Sequence, residues 1–152
     1  MKSPSTDRIQ KTVLLQAQRA RVWRALTDHT EFGQWFRVRL ENRFEPGKST
    51  SGHVTYPGYE HLRFEVQVER MDAEHDFSFR WHPYAVDPEV DYSQEPTTLV
   101  EFKLEAVSQG TRLTVIESGF DKIPAERRVE AFRMNDGGWT TQLENIRKHV
   151  DR

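Results

Sequence analysis

The apolar positions of this chain change their period once, and late. In the middle they recur at every second residue: Leu62, Phe64, Val66 and Val68 in LRFEVQVER, Phe77, Phe79 and Trp81 in FSFRWH, Val100, Phe102 and Leu104 in TTLVEFKLEAV, and Leu113 and Val115 in TRLTVIESGF. After Pro124, a residue suited to open a helix, the steps become four and three, through Ala125, Val129, Phe132, Trp139, Leu143, Ile146 and Val150. Strict alternation gives each strand one apolar face, and short turns such as MDAEHD and SQG make neighbouring strands antiparallel. A helix of roughly 26 residues runs about 39 Å, long enough to cover such a face. Each surface needs the other, so the expected fold is α+β: a curved antiparallel sheet of about six or seven strands wrapped around a long C-terminal helix.

The first third adds smaller elements. Ile9–Leu15 reads as a strand, QRARVWRALTD as a short helix with either Ala20, Trp23 and Leu26 or Val22 and Leu26 on one side, and HTEFGQWF as a second, with Thr30 as N-cap. RVRLENRF and GHVTYPG are expected as strands joined through the turn EPGKS. The segment PYAVDPEVDYSQEP, with three prolines, is too irregular for an element and reads as a surface loop able to act as a lid. Residues 1–8 are expected to be a flexible lead-in and 9–150 one domain.

Composition narrows the functions. No cysteine is present, which excludes disulfides, Cys-type zinc sites, iron–sulfur clusters and thiol catalysis. Lys plus Arg number 22 against 24 Asp plus Glu, without blocks of one sign, which argues against nucleic acid and anionic membrane surfaces. The start has no apolar signal-peptide core and no run of about 18 apolar residues occurs, so the expected location is cytoplasmic. The histidines at 29, 53, 61, 75, 82 and 149 form no HxH or HExxH spacing, and no GxSxG elbow exists. Neither metal, cofactor nor catalytic triad is therefore expected.

Two acids break the apolar pattern. Glu117 stands where the alternation of TRLTVIESGF requires another Leu or Val, and Asp136 fills the vacancy between Phe132 and Trp139 on the helix stripe. A buried carboxylate must be paired or hydrogen-bonded. For Glu117 the candidate roles are a bond to a backbone amide or a tryptophan N–H, a ligand contact, or general acid–base catalysis; Arg80 and Arg133 are candidate partners. Beside Asp136 stand Gly137 and Gly138, each costing roughly 1 kcal/mol against Ala in mid-helix, which predicts a kink or a close backbone approach. Gly119 and Gly138 are read together as such an approach. Nine Phe and four Trp in so short a chain pack with difficulty, and an apolar pocket with few polar groups is the usual small-molecule site. The candidate ligand-binding residues are Trp35, Phe64, Phe79, Trp81, Phe102, Glu117, Phe132, Asp136 and Trp139.

Several stretches also carry a resemblance: ARVWRALTD at 20–28, FGQWF at 32–36, FEPG at 44–47, FSFRWH at 77–82, TRLTVIESGF at 111–120, and GGW at 137–139 with Leu143 and Ile146 beyond it. In that order they resemble the START-like, helix-grip (SRPBCC) superfamily, and within it homologues of the C-terminal domain of the heat-shock protein 90 ATPase activator. The resemblance extends from about Ile9 to Val150. It implies an apolar cavity between sheet and helix, used across the superfamily for lipids, sterols and polyketides. The leading expectation is a binding module, without catalysis, for a small apolar or aromatic molecule. One alternative is a chaperone-interacting protein; another is a cyclase-like or hydrolase-like enzyme using a cavity carboxylate. A monomer or weak homodimer is expected.

Overall fold

The computed structural model describes residues 6–151. In chain order the elements are β1 (Arg8–Leu15), α1 (Arg19–Thr27), α2 (His29–Phe36), β2 (Val38–Leu40), β3 (Ser49–Val54), β4 (Arg63–Asp72), β5 (Asp76–Trp81), β6 (Thr98–Val107), β7 (Gly110–Ser118), a 3₁₀ turn (Phe120–Lys122) and α3 (Ala125–Val150). The seven strands form one sheet in the order β1-β7-β6-β5-β4-β3-β2, and the paired neighbours are antiparallel throughout. β1, first in sequence, pairs with β7, the last strand. This is the expected α+β helix-grip arrangement, with seven strands.

The alternation read from the sequence sets the inner face. Phe64, Val66 and Val68 of β4, Phe77 and Phe79 of β5, Val100, Phe102 and Leu104 of β6, and Leu113 and Val115 of β7 are all buried. A slip of one residue would turn every one of them outward, so the pattern fixes register as well as strand identity. A bulge between Val68 and Arg70 adds twist to β4. Against this face lie Ala131, Trp139, Leu143, Ile146 and Val150 of α3.

Several local expectations are corrected. The N-cap of α2 is Asp28, whose carboxylate accepts from the Thr30 and Glu31 amides at 2.9 and 3.1 Å; Thr30 lies inside the helix. β2 is only three residues long: the Glu41 amide still donates to Ser51 O at 2.8 Å, but beyond it the Asn42 and Thr50 side chains take over the bonding between the two segments, through Ser49 O and Arg43 O. α3 continues unbroken through its two glycines, and a Cβ at Gly137 or Gly138 would meet nothing within 4 Å, so no backbone approaches there. Gly119 answers a different need: its φ of 103° lies where side chains are strained. Val129 is 76% exposed; Ala131 occupies the core position. Residues 1–5 of the expected lead-in lie outside the described residues, and Asp7 is bonded into the β7–α3 connection through the Gly119, Phe120 and Asp121 amides.

The three helices meet at Glu31. Its carboxylate receives Arg21 at 2.7 Å and Arg24 at 2.8 Å from α1 and lies 2.9 Å from Nε2 of His149 on α3. Burial is the largest single influence on its pKa and pushes it upward. The hydrogen bonds of His149 and Arg21, the Arg21 charge and the Arg24 bond together outweigh it and hold Glu31 below its ordinary 4.5. Among the described residues, no helix is long and apolar enough to cross a membrane.

Candidate functional site

The site begins with the residue that breaks the β7 pattern. Glu117 lies between Ile9 of β1 and Val100 of β6 in the ladder and is wholly buried. Four side chains donate to it: Trp81 Nε1 at 2.7 Å and Thr98 Oγ1 at 2.6 Å to Oε2, Trp139 Nε1 at 2.8 Å to Oε1, and Asn135 Nδ2 at 3.0 and 3.1 Å to both oxygens. All four donors are neutral. Arg80 instead pairs with Glu69 at 2.9 Å, and Arg133 is exposed.

Only a carboxylate suits this arrangement. Each of its oxygens already faces an indole N–H, a group that can donate but never accept. An amide would turn its NH₂ toward one of the two tryptophans and leave that N–H buried without an acceptor, which costs about 1–3 kcal/mol. Glu117 thus ties β5, β6 and α3 at one point. Trp81 and Trp139 are held nearly parallel, with ring centroids 5.7 Å apart, and Phe64 meets the edge of Trp81 at 6.0 Å.

Beside this hub opens a pocket of about 550 Å³, within the range usual for small-molecule sites. Val54, Leu62 and Phe64 line it from the β3–β4 side, Trp81 and His82 from the end of β5, Val86, Pro88 and Val90 from the following loop, and Asn135 from α3. Glu117 itself does not line it. His82 Nε2 stands 3.2 Å from the Glu95 carbonyl oxygen; a carbonyl only accepts, so that nitrogen carries the proton.

The loop after β5 is fastened by Arg127 in the first turn of α3. Its guanidinium pairs with Glu95, at 2.8 Å from Nε and 2.7 Å from Nη2, donates to the Pro83 carbonyl at 2.8 Å, and lies 4.8 Å from the centre of the Tyr92 ring. One planar fork thereby holds three points of the loop. A smaller recess of about 390 Å³ lies between Lys11, Val13, Leu143 and Glu144, away from the rings.

The nine candidate residues do not form one surface. Phe64 and Trp81 line the pocket, and Trp139 and Glu117 form the network behind Trp81. Phe79 and Phe102 are fully buried in the ring cluster further along the sheet, with Phe102 5.7 Å from Trp139. Trp35 donates to the Ala25 carbonyl and packs α2 on α1, while Phe132 packs on Phe120 at 5.0 Å. Asp136 requires a correction: it turns away from Glu117 to Lys11 of β1, 3.3 Å away, and its side chain is 49% exposed. Asn135 takes the inward position instead. The sequence signal for it is Trp139, four residues on, which places its own helix face one step behind the Phe132 phase.

The family model described as Activator of Hsp90 ATPase homolog 1-like protein matches residues 16–151. No curated protein matches the chain. Among solved structures, protein MLL2253 from Mesorhizobium loti superposes with a TM-score of 0.75 at 19% identity, over 95% of this chain and 97% of that one. Protein CV1439 from Chromobacterium violaceum gives 0.73 at 16% identity, over 97% and 99%. DynU16, a protein of the dynemicin biosynthetic locus, gives 0.74 at 22% identity over 97% of this chain, which spans about half (48%) of DynU16's length. At these identities the likeness is one of fold.

Proposed function

The chain belongs to the Activator of Hsp90 ATPase homolog 1-like family, and from that premise we propose that it is a binding module for a small apolar or aromatic molecule, held in the pocket beside Trp81. The observation that carries the reading is the combination of a space of about 550 Å³, walled by apolar and polar side chains together, with a ring wall held in place by a buried hydrogen-bond network. Trp81 cannot turn without breaking its bond to Glu117, so the pocket presents a fixed indole and the rigid edge of Phe64. Preorganisation of this kind lowers the ordering cost of binding. The loop fastened by Arg127 supplies the opposite wall, and its exposed Val86 and Val90 leave apolar surface at the mouth.

This places the ligand at the side of the helix–sheet core. The centre of that core is filled by Phe77, Phe79, Phe102 and Trp139. Glu117 acts in this reading through Trp81 and Asn135 and does not touch the ligand. The acid–base role is disfavoured because both its oxygens are already engaged. Native mass spectrometry of freshly purified protein, followed by chemical-shift mapping with a panel of one-, two- and three-ring compounds, tests the proposal. Retained or titrating ligand with shifts at Val54, Leu62, Trp81 and Val86 supports it. Binding that shifts only the Lys11–Leu143 recess, or no binding across the panel, contradicts it.

A further inference from the structure

Asn135 is a pocket residue whose orientation is dictated from behind. Its amide nitrogen lies within 3.1 Å of both Glu117 oxygens. A carboxylate fixed by two indoles and a threonine hydroxyl can only accept, so the NH₂ group of Asn135 must face it; the reversed amide would set oxygen against oxygen. The other arm, Oδ1, has no hydrogen-bond partner among the described residues, yet it is not among the buried atoms that lack one. It therefore keeps accessible surface, and Asn135 is among the residues that line the pocket.

We infer that Asn135 Oδ1 is the polar reading head of the pocket, and that the ligand is a planar ring compound carrying a hydrogen-bond donor, a hydroxyl or N–H, on the edge that meets α3. This rests on the binding reading above and deepens it. The chain of causes runs from Glu117, which accepts, to Asn135, which must donate inward, to a carbonyl that selects donors. An ether or ketone at the same place meets oxygen with oxygen. Trp81 and Phe64, set at 79° to one another, supply apolar ring contacts that do not distinguish hydroxyl from ether. The discrimination therefore falls to Asn135, which acts as a specificity residue set in place by Glu117.

The test uses the full chain and two probes of the same ring system, 2-naphthol and 2-methoxynaphthalene, titrated while tryptophan fluorescence and amide shifts are followed. The ether is the more apolar of the two, so a purely greasy pocket prefers it. The expected result is that the naphthol binds more tightly by about fivefold, the factor a typical net hydrogen bond gives, and that Asn135→Leu brings the ratio to one or below. Asn135→Ala serves the same purpose if the leucine variant does not fold. A wild-type ratio at or below one overturns the inference and leaves the binding pocket standing. A preference that survives both substitutions also overturns it, since another residue is then reading the hydroxyl. Absence of binding by both probes overturns the inference, and absence of binding across the wider panel removes the pocket reading as well.

Discussion

Two glutamates in this protein each gather side chains from other elements, Glu31 from two helices and Glu117 from two strands and a helix, and they do so with opposite chemistry. Glu31 sits where α1, α2 and α3 meet, partly open to water, and is surrounded by Arg21, Arg24 and His149. Glu117 sits under the sheet, without exposure, and is surrounded by two indoles, a hydroxyl and an amide. The first is a charge clamp whose partners are long, adaptable and solvent-screened. The second is a positioning device whose donors are short or rigid, so every bond fixes a ring or an amide in one orientation. The lesson is that a carboxylate used to hold helices together can recruit cations, whereas one used to shape a neighbouring surface is better served by neutral, directional donors.

Substitution breaks this comparison in a definite order. Glu117→Gln is expected to cost the most, about 1–3 kcal/mol, because one buried tryptophan N–H is left without an acceptor. Urea unfolding measures the loss, and faster exchange of the Trp81 or Trp139 indole proton identifies the orphan. Glu31→Gln keeps the shape and loses the charge, and is expected to cost about 1 kcal/mol at neutral pH, since a partly exposed cluster is screened. Its pH dependence has a fixed sign. The folded-state pKa of Glu31 is lowered, so its contribution is present above 4.5 and is lost as the pH falls through the folded value beneath it. Unfolding curves at pH 7 and pH 3.5 should therefore differ more for the wild type than for Glu31→Gln, and equal differences contradict the clamp.

Two smaller effects sharpen the contrast. Thr98→Val removes one of four donors while keeping the volume, and should cost about 0.5–1.5 kcal/mol, with the Trp81 indole still protected. Arg127→Lys should change global stability least, because it alters only the fastening of a loop. A lysine cannot hold Glu95, the Pro83 carbonyl and the Tyr92 face at once. Limited proteolysis within residues 83–96 is expected to quicken while the unfolding midpoint moves little.

Much of the fold was legible because alternation and register are the same information. Once Phe77, Phe79, Phe102, Leu113 and Val115 were placed on one face, the strands they belong to and the helix that covers them followed. Glu117 was legible as an anomaly for the same reason. Asn135 was not, because Asn135, Asp136, Gly137 and Gly138 form four positions without an apolar side chain, and the helix phase across them had to be interpolated. Counting four from Phe132 selects Asp136; counting back four from Trp139 selects Asn135. The structure follows Trp139, whose indole is fixed by Glu117, while Phe132 turns aside to Phe120. The position of the pocket, beside the core and not at its centre, was hidden for a different reason: one wall is the irregular loop of residues 83–96, whose course depends on Arg127, more than thirty residues away and silent in any periodicity.

In the proposed function a small molecule binds in this pocket, against Trp81 as its fixed ring. The most direct test is the set of four tryptophan indole N–H resonances in a ¹⁵N-labelled sample titrated with 2-naphthol. The Trp81 resonance is expected to move most, Trp139 less through their shared carboxylate, and Trp23 to stay in place. Movement confined to Trp23 or Trp35, or no movement at saturating probe, would contradict it.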